Sequence, residues 1–180
     1  MLHAMMRLRL LVGVGVASWL GCSDPARSTA QVYLTSSMDE NTQCGAVGPL
    51  LALGTPSGLV RDGDMVNGAR VEVTCQVRAI ASGFDVILNA KQPGVGFVTV
   101  SGTFTETGTQ SNVSATFSNT VGEKFSATNC TFQYLASPGI FPGRIWGHLD
   151  CAALVTAQSA SVPQRSCVGI AEVRFENCVL

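Results

Sequence analysis

"RVEVTCQVRA", residues 70–79, is the stretch on which the fold turns. Val71, Val73, Cys75 and Val77 fall on one side of an extended chain, and Glu72, Thr74, Gln76 and Arg78 on the other. Successive Cβ atoms of a strand point to opposite faces, so this alternation describes a strand with one buried and one wet face. The same period returns in "GFDVILNA" (83–90), "GFVTVSGTFTE" (96–106), "NVSATFS" (112–118) and "EKFSATNCTFQYL" (123–135). In "RIWGHLDCAALV" (144–155), Ile145, Gly147, Leu149, Cys151 and Ala153 alternate with a more polar set, and "VGIAEVRFENC" (168–178) carries Val173 and Phe175. Gly, Pro or Asn bounds most of these runs, and no helical stripe is sustained beyond the first 21 residues. Short strands at this spacing predict an all-β chain, an antiparallel sandwich or barrel-like sandwich.

The N-terminus reads differently. Arg7 and Arg9 precede a largely apolar run, Leu10–Leu20, which ends at Gly21-Cys22 before the polar "SDPARSTA". Met5 and Met6 stand just before Arg7, so Met1, Met5 and Met6 all serve as possible starts. A charged start, a short apolar segment and a small residue before the cut are the parts of a secretory signal. An 11-residue run rises only about 16 Å as a helix, too short for a hydrocarbon core of about 30 Å. "Leu20-Gly21-Cys22" resembles the end of a bacterial lipoprotein signal. That resemblance implies that residues 1–21 form a cleaved signal helix, that Cys22 carries the lipid, and that 22–30 form a lipidated tether to one domain, 31–180. Ser23 after the cysteine implies an outer-membrane address by the same resemblance.

Removing the signal from 180 residues leaves 159, enough for one domain with a sizeable core. Of 11 basic side chains, Arg7 and Arg9 leave with it, so 9 face 12 acidic ones, a formal charge of −3. No basic cluster appears, which argues against a nucleic-acid partner. Charged residues are 13% of the chain, against about 25% in ordinary soluble domains, so Ser, Thr, Asn, Gln and Gly must supply the wet faces.

Seven cysteines become six once Cys22 is set aside: Cys44, Cys75, Cys130, Cys151, Cys167 and Cys178. An even number in an exported chain predicts disulfides, and no spacing here suits a metal. "ASPGIFPG" (136–143) joins strands 124–135 and 144–155; a hairpin centred near Gly139–Phe141 sets Cys130 opposite residue 150 or 151. A Cys130–Cys151 bridge between neighbouring strands follows. Cys167–Cys178 and Cys44–Cys75 complete the expected set.

Further along, "DGDMVNGARVEVTCQV" (62–77), "GRIWGHLDC" (143–151) and "FENC" (175–178) resemble segments of small, uncharacterised cystine-containing lipoproteins of the myxobacterial type. A fainter likeness is to the mycobacterial lipoprotein antigens. Neither implies a catalytic residue.

Chemistry is sparse. Asp62 and Asp64 occupy the first and third positions of a calcium-loop pattern, but Val66 and Asn67 break it at the fifth and sixth, which favours a turn. Asn67-Gly68 is itself a hairpin signal. His148 is the one histidine beyond the signal, and Asp150 shares its strand face about 7 Å away, with no nucleophile elbow anywhere. Ile140 and Phe141 sit between Pro and Gly residues, placed either to fold back on Trp146 or to offer a contact loop to a partner, glycan or membrane. The fold-back is preferred.

The expected protein is a monomer in the cell envelope, held to the membrane by Cys22, without cofactor or metal. Its expected role is a non-catalytic envelope or surface module that binds an envelope protein, glycan or lipid. The alternatives are a carrier of an apolar or lipid ligand between the sheets and, third, a carbohydrate-active or other hydrolase.

Overall fold

The computed structural model describes residues 26–37, 49–54, 58–119, 122–156 and 164–180. The expected signal at 1–21, the expected lipid site Cys22, and Cys44 lie outside the described residues. Within them there is no helix, and the chain runs through β1 (Thr29–Ser37), β2 (Pro49–Leu53), β3 (Val60–Arg61), β4 (Met65–Val66), β5 (Ala69–Arg70), β6 (Glu72–Ile80) and β7 (Gly83–Gln92). β8 (Gly96–Phe104), β9 (Gln110–Ser118), β10 (Lys124–Tyr134), β11 (Ile140–Phe141), β12 (Arg144–Thr156) and β13 (Ser166–Glu176) follow. Thr29 and Ala30, assigned to the tether by the sequence, already belong to the first strand.

Eleven strands form one antiparallel sheet in the order β2-β1-β13-β12-β10-β9-β8-β7-β6, with β3 paired to β1 and β11 to β12, while β4 and β5 form a separate hairpin. The alternation in "RVEVTCQVRA" is obeyed: Val71, Val73, Cys75 and Val77 are buried, while Glu72, Thr74 and Arg78 are exposed. Every long strand turns most of its apolar residues to the same side, so the sheet curls around a single core. Five phenylalanines, Phe104, Phe117, Phe125, Phe132 and Phe175, are among its largest fully buried side chains. Phe104 meets Phe132 edge-on with ring centroids 5.3 Å apart, the arrangement that ring quadrupoles favour.

Curling brings the free edge of β6 round to the chain beyond β13. Val77 N donates to Val179 O and Val179 N to Cys75 O, so the tail lies along β6 as a short parallel bridge. Asp62 closes the adjoining part of the seam, its Oδ1 accepting from Val73 N at 3.0 Å. A curled sheet needs such cover, because an open edge exposes unpaired N–H and C=O groups.

The disulfides follow this closure. Cys75 is bonded to Cys178 across the seam, with Cα atoms 4.7 Å apart. The expected Cys167–Cys178 and Cys44–Cys75 pairings are therefore corrected. Cys167 stands near the start of β13 and Cys178 just past its end; eleven residues of extended chain span about 36 Å, so a straight strand holds them apart. Cys167 is itself disulfide-bonded. Cys130 is bonded to Cys151, as expected, with Cα atoms 4.3 Å apart. Phe125↔Thr156 and Thr131↔Asp150 share one register, which sets the two cysteines directly opposite each other. Their separation matches the narrow, non-hydrogen-bonded pair of an antiparallel ladder.

Local signals decide one turn outright and are modified by tertiary pairing in two places. Asn67 and Gly68 have φ of 53° and 77° and link β4 to β5 in a tight hairpin. Both positive values suit the mirror-image turn whose twist matches the flanking strands. On β12 the inward series ends at Cys151, because the pairing with β13 shifts between Cys151 and Leu154. The extra residue of this bulge turns Leu154 into the core where simple alternation placed Ala153. In "ASPGIFPG", β11 folds back on β12 through Pro142-Gly143, pairing Ile140 with Ile145 and Phe141 with Arg144.

Candidate functional site

The outer face of β1, β13, β12 and β10 carries a tryptophan, a histidine and several charged side chains. The strands that bury Ile145, Leu149, Val173 and Phe175 necessarily turn Trp146, His148, Asp150, Glu172 and Arg174 outward. Register then aligns them in rows. Tyr33, Glu172, His148 and Gln133 form one row across four strands, and Gln31, Arg174 and Trp146 form the next.

Trp146 is held from two sides. Its Nε1–H donates to Glu172 Oε1 at 3.1 Å, and the Arg174 guanidinium lies 5.2 Å from its ring. Arg174 is fixed in turn by Glu176, whose Oε1 accepts from Nε and Nη2 at 3.0 and 2.7 Å. A cation over an indole adds about 0.5–1 kcal/mol at an exposed site, so the cluster is modestly preorganised.

The expected contact loop divides. Ile140 enters the core beside Ile145, whereas Phe141 remains at the rim beneath Arg144, 4.9 Å from guanidinium carbon to ring centroid. The preferred fold-back of both residues onto Trp146 is thus corrected: alternation along two paired residues sends one in and the other out. Trp146 itself stands on the outer face, not inside.

His148 and Asp150 are both exposed on β12. Opposite His148 stands Glu172, already engaged by Trp146; opposite Asp150 stands Ile170. No nucleophile, base and orienting acid converge here. Among the described residues no group of three His, Cys, Asp or Glu side chains is placed to hold a metal. Asp62 and Asp64 have structural work: Asp64 Oδ2 accepts from Arg61 N at 3.0 Å, and Asp64 Oδ1 lies 3.5 Å from Arg27 Nη1. The turn reading of "RDGDMVNG" holds.

At the lower rim, Tyr134 Oη donates to the Thr105 carbonyl at 2.5 Å, and burial pushes its hydroxyl up to about 12. Gln110 ties the same loop together, donating from Nε2 to the carbonyls of Thr107 and Gly108. A cleft of about 440 Å³ lies between this loop and Ser137–Gly139. Another, of about 660 Å³, lies beside Arg27, Arg61 and Glu176. Both open on the surface.

The Trp146–Glu172–Arg174 cluster is invisible to a one-strand reading, since it depends on the pairing of β12 with β13. Its one sequence signal is the alternation of Glu172, Arg174 and Glu176 opposite a strand bearing a lone tryptophan. Compared with family models, curated proteins and solved structures, this chain matches none.

Proposed function

We propose that this protein is a membrane-anchored lipoprotein of the bacterial cell envelope that acts as a non-catalytic binding or structural module. The pairing of its cysteines carries the reading. Cys75–Cys178 and Cys130–Cys151 are closed, and Cys167 is also in a disulfide. Of the seven cysteines, Cys22 and Cys44 are left for that last bond. With Cys44 in that bond, Cys22 is the single thiol over, at the position the lipoprotein signal reserves for lipid. Several disulfides also suit an oxidising compartment outside the cytoplasm. Two or three acyl chains anchor a protein stably, each buried CH₂ contributing about 0.8 kcal/mol.

Phenylalanines from β8, β9, β10 and β13 point into the interior, with Phe104 packed edge-on against Phe132, which supports a module over a carrier. The scattered acids and the lone His148 offer a hydrolase little. A broad face of hydrogen-bonding groups with a fixed tryptophan suits reversible binding.

Metabolic labelling with a clickable fatty acid, followed by intact-mass measurement, tests the anchor. The wild-type protein should take label and lose residues 1–21, and Cys22→Ser should take none. Equal label in both overturns the reading.

A further inference from the structure

The strand directions define two ends of the curled sheet. At one end β1 begins and β13 stops, β12 begins and β10 stops, and β7 begins where β6 stops. Contacts knit this end together. Asn177 Nδ2 donates to Arg27 O at 3.2 Å, Cys178 N to Gly143 O at 2.9 Å, and Gly143 N to Val77 O at 3.0 Å. The chain leading back to Cys22 therefore emerges beside the β11–β12 turn and the tail.

The same end gathers exposed apolar side chains. Val179 and Leu180 are 68% and 70% exposed, and Phe141, Leu135 and Ile80 join them at the rim. In the opposite connections, described at 93–95, 119, 122–123 and 164–165, no large hydrophobic residue is exposed. Tyr33, Ile87 and Ile170 stand singly on the outer wall and Met65 on the β4–β5 hairpin. Single exposed apolar residues mean little, but five at one end and none in the described parts of the facing connections make a directed surface.

Covalent geometry says what covers it. Four peptide steps separate Cys22 from Ala26, and extended chain spans at most about 3.6 Å per residue, so the reach is about 14 Å. A lipid on Cys22 holds this end against the bilayer. We infer that this end of the protein rests on the membrane, with Phe141, Leu135, Val179 and Leu180 in the bilayer interface and the opposite end directed away. The inference rests on lipid attachment at Cys22. Arg27 pairs with Asp64, Arg174 with Glu176 and Arg78 with Asp85 at this end, while Arg144 has no ion pair among the described residues and lies over Phe141, so the apolar side chains carry the contact and an anionic lipid is not required.

Trp19 and Trp146 are the two tryptophans of the chain, and Trp19 belongs to the signal. Replacing Trp146 by Phe allows a single reporter to be placed at will. Two lipidated, full-length-expressed variants serve: Trp146→Phe with Phe141→Trp at the apolar end, and Trp146→Phe with Lys91→Trp near the other. Both positions are exposed, and circular dichroism with unreduced mass checks the fold. In vesicles of brominated phosphatidylcholine, the reporter at 141 should lose most of its fluorescence and the reporter at 91 should keep it, with added salt making no difference. Equal quenching, stronger quenching at 91, or none at 141 in vesicles that carry the protein overturns the orientation while leaving the anchor intact. Absence of lipid mass on either variant removes the anchor itself, and the orientation with it.

Discussion

Cys75 and Cys178 are joined across the line where the curled sheet meets itself, 103 residues apart in sequence and 4.7 Å apart at Cα. The bond fastens the one edge of β6 that no long strand covers. Beside it, the tail supplies hydrogen bonds to Cys75 and Val77. Closure thus rests on a covalent clasp and a short ladder together.

Removing that clasp should cost more than removing the other. Loop-closure entropy gives about 4.7 kcal/mol for a loop of this length and about 3 kcal/mol for the shorter Cys130–Cys151 loop. Paired Cys→Ala variants compared by urea unfolding should rank in that order. A larger loss at Cys130–Cys151 would show that local strand pairing, not seam closure, dominates stability.

Peptide mapping without reduction should yield "VTCQV" linked to "ENCVL" and "TNCTF" linked to "HLDCA". A third species should contain Cys167 with Cys44. Finding Cys167 attached to Cys22 in the mature protein would deny Cys22 its lipid.

Tyr134 makes stability fall at high pH. Its hydroxyl keeps its proton to about 12 in the folded protein, against 10.0 in the exposed side chain, because burial disfavours the phenolate. Between these values the folded state holds a proton that the unfolded state has released. Stability is therefore whole below pH 10 and declines towards pH 12. Denaturation midpoints measured across this window should drop, and Tyr134→Phe should flatten the decline. An unchanged slope in that variant would remove Tyr134 as its source.

Gly147 lies in the middle of β12, where a Cβ would run into the Phe132 ring and the Gln133 carbonyl. Gly147→Ala should destabilise by about 1–3 kcal/mol through overpacking. Phe132→Leu in the same chain should recover part of the loss. If the single variant unfolds at the wild-type midpoint, the ring has room to move and the packing there is looser than the contacts indicate.

Much of the fold was legible because its signals are local. Alternating residues specify strands and their inward faces, as in "RVEVTCQVRA", where each of the four expected core positions is buried. Asn67-Gly68 specifies its own turn through backbone sterics. Cys130 and Cys151 were paired correctly because one short connection fixes their register, and a slip of one residue would send a sulfur to the wet face. The bulge between Cys151 and Leu154 was not legible, because nothing in "CAALV" marks where an extra residue is best accommodated against β13.

What the sequence by itself determined is therefore the set of strands, their buried sides, one hairpin and one disulfide. The tertiary structure alone decided how far the sheet curls and which edges meet. Those depend on strand twist accumulated over many pairings, and no single residue encodes that sum. Cys75 finds Cys178 only after the sheet has curled through β7, β8, β9, β10, β12 and β13. The same closure sets the tail between Arg27 and the β11–β12 turn, and Trp146 meets Glu172 and Arg174 only through the pairing of β12 with β13.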